Sequence, residues 1–322
     1  MYLNRLRRSG FTLVELLVTL IIMGVVLGSV TTLLVRQQRF YRSTSDMMEA
    51  RTQVRQAIDM LPADLRGLSS SDVRNGTDIY AASDKAIEFR AITGSSVLCK
   101  IPNTTTVVLP PLNLAEGTRL STWTGSLQVG DSLLVYDDSS SASGNNDDHW
   151  AVHAVTAVAT LDPAVANACG TASGFVSAAD VTAGRVSYQL TLSPAMASTI
   201  SIGAPVRIFH RRRYELYQAS GTSNNWYLGT YECRTSCGTL TPVSGPFAAY
   251  SATAGSSGLS FTYLDSLGAT VSPTTTTAQK GTIARITLAA RADTRSAVDI
   301  PGKARATLRD SLSLDVILRN RK

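Results

Sequence analysis

Apolar residues are spaced along this chain in three different ways, and each spacing predicts a different kind of element. The first is a near-continuous apolar run from Phe11 to Val35, FTLVELLVTLIIMGVVLGSVTTLLV, in which Glu15 is the single ionisable side chain. At about 1.5 Å of rise per residue, a helix of this length spans the roughly 30 Å of bilayer hydrocarbon. The second is a stripe: Met47, Val54, Ile58, Leu61, Leu65 and Leu68 recur in steps of seven, four, three, four and three. That spacing lines one face of an amphipathic helix, with Arg51, Arg55, Asp59 and Asp64 on the polar face. Pro62 is expected to kink or restart this helix near Leu61, and Gly67 to end it. The stripe is expected to dock on a sheet, because about three heptads are too few for a partner coiled coil.

From Ser69 onward the spacing changes to the alternation of half-buried strands. Predicted strands are Ala86–Ile92, Thr105–Leu109, Ser132–Tyr136, Trp150–Ala159, Arg185–Leu192, Val206–Tyr217, Asn225–Cys233 and Leu259–Leu264. The clearest are Thr282–Arg291, with Ala284, Ile286, Leu288 and Ala290 on one face, and Ser311–Arg319, with Leu312, Leu314, Val316 and Leu318. Asp137–Asp148 has no apolar residue larger than alanine and reads as an exposed loop. Ser272–Ala278 (SPTTTTA) reads as a loop between strands. The expected fold class is therefore α+β: a long N-terminal helix packed on a large antiparallel β-rich domain. Residues 11–68 form the helix, 11–35 of it transmembrane, and 69–322 form the β domain, with an inserted β subdomain expected near 120–204.

Composition adds a compartment. Charged residues are 17% of the 322, low for a cytosolic enzyme, while small polar residues abound, as in exported β domains. Net charge is +6, and Arg5, Arg7 and Arg8 supply half of it; losing a leader of ten residues leaves +3. The four cysteines, Cys99, Cys169, Cys233 and Cys237, all follow the apolar run and fit two disulfides in an oxidising compartment. Of three connectivities, Cys99–Cys169 with Cys233–Cys237 is the simplest.

Catalytic and metal chemistry find little footing. His149 and His153 would share a helix face as ligands, but HWAVHAVTAV is strand-like, and four residues along a strand is about 13 Å. Asp147 and Asp148 offer at most a hydrated cation, without the alternating-oxygen calcium pattern. Cys233-x-x-x-Cys237 is one residue too long for a redox pair. No nucleophile elbow or phosphate-cradling glycine loop occurs, so neither a catalytic role nor a cofactor is expected. His210-Arg211-Arg212-Arg213 reads as solvated strand-edge charge that discourages edge pairing, in preference to a phosphate track shared with Arg305, Arg309, Arg319, Arg321 and Lys322.

Glu15 is the residue that a plain signal anchor leaves without a reason, since an intramembrane carboxylate is costly and a functional candidate by default. Cleavage after Gly10 would create an α-amine on Phe11, a cation within about a turn of Glu15. The stretch Arg7-Arg8-Ser9-Gly10-Phe11-Thr12-Leu13-Val14-Glu15 resembles the processing motif of type IV prepilins and type II secretion pseudopilins. The resemblance implies a leader of residues 1–10, cleavage by prepilin peptidase between Gly10 and Phe11, N-methylation of Phe11, and a subunit-assembly role for Glu15. It also implies an inner-membrane precursor with a periplasmic domain, and partners among other minor and major pilins and the assembly platform. Thr31-Thr32 stands where many major pilins carry a proline. VGDSLLV at 129–135, LSFTYLD at 259–265, Tyr214–Tyr217 with Trp226–Leu228, and the basic end after Asp315 resemble the PilW-like minor pilins. The GspJ-like pseudopilins are the nearer alternative, and a tip adhesin or DNA-binding module the further one.

Overall fold

The computed structural model describes residues 11–68, 77–138, 149–221, 225–253, 255–272, 276–298 and 304–318. One helix opens it: α1 runs unbroken from Leu13 to Leu65, 53 residues or about 80 Å. After α1 come β1 (Ile79–Ala82), β2 (Ala86–Val97), β3 (Lys100–Asn103), β4 (Thr106–Leu109), β5 (Thr122–Trp123), β6 (Ser132–Asp137) and β7 (His149–Leu161). The short helix α2 (Ala178–Thr182) precedes β8 (Ser187–Ser193), β9 (Pro205–Gln218), β10 (Trp226–Cys233) and β11 (Thr241–Phe247). The chain finishes with β12 (Leu259–Leu264), β13 (Thr270–Val271), α3 (Thr277–Lys280), β14 (Arg285–Asp293) and β15 (Arg309–Ile317). The fold is α+β, one long apolar N-terminal helix with a large antiparallel β-rich domain.

The chain divides into two compact units. In the first, residues up to Thr52 are joined by Asp293–Asp310. This arm lies along the helix stem. Ser296 donates its backbone N–H and hydroxyl to Asp46, Arg295 pairs with Glu49, and Arg51 with Asp310 at 3.3 Å. Within the arm, Arg309 grips Asp293 with two nitrogens, at 2.7 and 2.9 Å, and Val298 bridges to Ala306.

The second unit, Gln53–Ala292 with the residues from Ser311 on, holds both sheets. The larger has eleven strands, ordered β1-β2-β9-β6-β7-β8-β4-β3, with β10, β11 and β5 attached to the side. Strand β9 organises it. Along one edge β9 pairs with β2 from Pro205 to Glu215. Its other edge is shared: β6 takes Val206–Phe209, and β10 takes Arg211–Gln218. Strands from the 120–204 stretch thus join the same sheet as β2. Leu98, Leu109, Leu133, Val155, Leu190 and Ile208 build its main core cluster. The smaller sheet is ordered β13-β12-β14-β15, and the Ser83–Ala86 turn ties it to the larger one. Phe261 donates its N–H to the Asp84 carbonyl, Tyr263 its hydroxyl to Ser83 O, and Tyr250 its hydroxyl to Asp84.

The amphipathic stripe is where the helix meets this unit. Val54, Ala57, Ile58, Leu61, Leu65 and Leu68 are buried, and Gln53 Oε1 accepts from Ser244 Oγ and Gly245 N. Pro62 does not restart the helix, which runs unbroken through it to Leu65. It is buried within the stripe, and its carbonyl accepts from Arg66 N in the closing turn. Asp64 is not on the polar face, as described below.

Several strand boundaries also differ. β2 continues five residues beyond Ile92 through a bulge at Gly94. A Cβ at Gly94 would lie 2.4 Å from that of Trp123, so only glycine lets β5 cross there. β14 alternates as expected, burying Ile286, Leu288, Ala290 and Ala292. In β15 the expected apolar face is buried only at its end: Leu312 is exposed, and Val316 and Leu318 are covered. Asp137 belongs to β6 rather than to a loop; it is buried and accepts from Thr199. Residues 139–148 of that stretch lie outside the described residues. The threonine-rich tract ends not in loop but in α3, capped by Thr276 and Gln279 in reciprocal bonds.

Candidate functional site

The candidate site is the head of α1. Thr12 is its N-cap: the Thr12 carbonyl accepts from Leu16 N, the first intrahelical bond. The Thr12 hydroxyl accepts from Glu15 N at 3.3 Å, while Glu15 Oε2 accepts from the Thr12 N–H at 3.2 Å and hydroxyl at 3.3 Å. This is a capping box, which satisfies donors that every helix start leaves open. The Thr-x-x-Glu spacing ahead of an apolar run carried that signal in the sequence, and reading Glu15 only as a charge missed it. Three neutral contacts leave the charge itself uncompensated, and among the described residues no cationic side chain pairs with Glu15. A carboxylate at a helix N-terminus is favoured by the macrodipole, but that is worth well under the cost of taking a charge into hydrocarbon.

Phe11 is 77% exposed, and the apolar side chains that follow it, from Leu13 to Val35, are exposed too. None of the described residues covers them. The helix is long and apolar enough to cross a membrane. Gly10 and the expected leader arginines Arg5, Arg7 and Arg8 lie outside the described residues.

The other end of α1 carries another carboxylate, this one half-buried. Asp64 accepts from Tyr214 Oη at 2.7 Å and Arg212 Nη1 at 2.9 Å, both on β9. Burial first, then the hydrogen bond to Asp64 and its charge, push the Tyr214 phenol above its ordinary range, so it stays a donor. Burial works against the charged form of Arg212, but the bond to Asp64 outweighs it and holds the guanidinium above its ordinary value. Beside them His210 is buried, 3.9 Å from both Asp131 and Glu232, and Arg234 reaches Asp131 at 2.7 Å. Burial holds the His210 imidazole below its ordinary value, against the pull of Glu232.

The basic run is therefore internal, not a strand edge. β9 has neighbours on both sides, and its arginines are committed one by one: Arg211 to Glu88, Arg212 to Asp64, Arg213 to Glu215. Arg309, another member of the expected phosphate track, is held by Asp293, and 319–322 lie outside the described residues.

The cysteines pair as Cys99–Cys169 and Cys233–Cys237. Cys99 and Cys169 are both buried, with Val108 and Val176 packed around them. Glu88 lies close to Cys233 and Cys237, but those sulfurs are bonded to each other and leave no thiolate for a metal. His149 and His153 both sit on β7. The first lies 3.9 Å from Asp137, and Nδ1 of the second is 2.9 Å from the Pro194 carbonyl. Asp147 and Asp148 fall outside the described residues.

No curated protein and no solved structure matches this chain. Residues 5–31 match the family model of the prokaryotic N-terminal methylation motif. That match covers the last six residues of the expected leader, the capping box and most of the apolar run, and it supports a type IV pilin-like protein that begins as a membrane-anchored precursor.

Proposed function

We propose that this protein is a type IV minor pilin of the PilW-like kind, a structural subunit that primes pilus assembly from a place at or near the tip. The observation that carries the reading is Glu15: a carboxylate at the head of an apolar span, inside a methylation motif, held only by neutral groups. Hydrolysis of the Gly10–Phe11 peptide bond by prepilin peptidase frees the Phe11 amine next to it. That amine, or the amine of a neighbouring subunit, supplies the cation that Glu15 lacks. A buried charge without its partner is strongly unfavourable, so the pair selects correctly registered subunits. Arg5, Arg7 and Arg8 hold the leader in the cytoplasm, and the span Phe11–Val35 passes from the inner membrane into the filament core. Residues 69–322 form the periplasmic and then surface-exposed domain, for which two disulfides suit an oxidising compartment. The role is structural and non-catalytic, with other minor and major pilins and the assembly platform as partners.

Mass spectrometry of the mature protein tests the processing step. The expected amino terminus is N-methyl-Phe11, and an intact Met1 end overturns it. A deletion strain separates the pilus from the GspJ-like alternative: loss of twitching with normal secretion supports the minor pilin, and the reverse supports the pseudopilin.

A further inference from the structure

Arg36, Arg39 and Arg42 follow directly on the apolar run, exposed and one to two turns beyond its end. None makes an ion pair among the described residues. The contrast with the next turns of the stem is sharp, for Asp46, Glu49 and Arg51 are all taken by the Asp293–Asp310 arm. Phe40 and Tyr41, 67% and 63% exposed, lie between these arginines with their rings edge to face. A groove of about 400 Å³ opens here, with Arg36 and Arg39 at one end and Phe40, Met47 and Val298 as its apolar wall.

Depth decides what such a groove can hold. The 25 residues of Phe11–Val35 rise about 37 Å, enough to cross the roughly 30 Å of hydrocarbon with a few ångströms to spare, and the headgroup layer on each side is some 5–7 Å thick. A tilt of about 20° shortens that rise and sets Arg36 in the layer, with the long side chain of Arg39 reaching back to it. Amphipathic aromatics and long cationic side chains are what this layer favours, the rings lying among headgroups and the guanidiniums reaching phosphate. Basic residues flank both ends of the span, so orientation bias alone does not explain the second set.

We infer that Arg36 and Arg39 form a binding site for the phosphate of an anionic glycerophospholipid in the leaflet where the span emerges. Two guanidiniums three residues apart share one helix face and present a fork to a single phosphate, geometry that Arg supplies and Lys does not. The inference rests on the membrane-anchored reading. Its occupant is lipid while the subunit waits in the membrane, before any filament exists to offer a protein partner at that depth.

Native mass spectrometry of the full chain in detergent micelles, with phosphatidylglycerol or phosphatidylcholine added, tests it. The wild type is expected to retain phosphatidylglycerol in preference to phosphatidylcholine. Arg36→Gln with Arg39→Gln should weaken that retention by about fivefold per arginine, about 30-fold together. Arg36→Lys with Arg39→Lys keeps the charge without the fork and should recover only part of the loss, and Arg119→Gln, the removal of one arginine charge from the β domain, should have no effect. Equal retention of the two lipids by the wild type overturns the proposal, as does undiminished retention by the double glutamine variant. If that variant keeps its lipid yet fails to enter filaments, the arginines are subunit contacts and the lipid site falls. Carbonate washing of membranes separates the two levels. A chain recovered in the soluble fraction sinks the anchored reading itself; a chain that stays in the membrane without lipid preference sinks only this inference.

Discussion

Helix α1 carries a carboxylate near each end, and the two are treated in opposite ways. Asp64 meets a cation and a phenol supplied by its own chain, Arg212 and Tyr214. Glu15 meets only the hydroxyl and N–H of Thr12, three residues away. The first arrangement is complete: charge, hydrogen bonds and burial are all answered within one unit. The second satisfies hydrogen bonding and leaves the charge open. The same division runs through the apolar residues. Those between Val54 and Leu68 are buried within the sheet's unit, whereas those between Leu13 and Val35 are covered by none of the described residues. A stretch whose needs are met internally is a scaffold; one whose needs are left open specifies a partner outside the molecule.

The largest effect should come from separating the two things Glu15 does. Glu15→Gln keeps the capping box, since glutamine serves equally at that position, but removes the charge. Incorporation into pili should fall on the order of a hundredfold or more, the consequence of leaving an amine unpaired in a dry bundle, while cleavage after Gly10 continues. Immunoblots of sheared pili read this directly, and normal incorporation of the glutamine variant would reduce Glu15 to a cap. At the other end, Asp64→Ala strands the Arg212 charge and the Tyr214 hydroxyl beneath the helix. A loss of about 2–3 kcal/mol is expected, since the pair is partly exposed, measured by denaturant unfolding in detergent followed by tryptophan fluorescence. Asp64→Ala without loss would show that the internal pairing contributes nothing.

The Asp64 end should also respond to pH. His210 sits beside Arg212 with its folded value depressed, so the unfolded chain takes up the proton first. Its contribution to stability is fully present above the unfolded value of about 6.5 and is lost as pH falls below it. The unfolding midpoint should drop on acidification towards pH 5.5, and His210→Gln should flatten that dependence. The smallest effect belongs to Thr12→Ala, which removes the cap hydroxyl and leaves the Glu15 charge. About 1 kcal/mol is expected, seen as faster amide exchange over the first helical turn with little change in assembly.

Much of this division was legible in the residue pattern. The uniform apolar run and the stripe after Met47 differ in kind, and the structure covers the second and not the first. What periodicity placed wrongly was set by tertiary context. Asp64 falls among polar positions when the helix is read alone, and only β9 turns it into an inward residue. Pro62 breaks a helix when its clash and lost bond are considered locally, yet it lies three residues before the last of α1 and shares the buried stripe. The arginines of β9 looked like edge charge because a strand that exchanges neighbours halfway along leaves no mark in its own sequence. β11 was not foreseen because TPVSGPF holds two prolines; as an outer strand paired only with β10, it tolerates them. The capping box was readable and was passed over in favour of the charge.

Strand β9 has a temporal consequence. Ala86 on β2 pairs with Glu215, so a chain delivered from its amino terminus presents β2 long before the strand that completes it. Over that interval a 12-residue strand has its main partner missing, the kind of unpaired ladder that slows folding and invites aggregation. Cys99 and Cys169, 70 residues apart, both emerge before β9. Oxidation can therefore tie off the intervening loop while the sheet is still waiting. For this protein, the order of arrival favours a staged path in which the crosslink comes first and β9 is the late keystone.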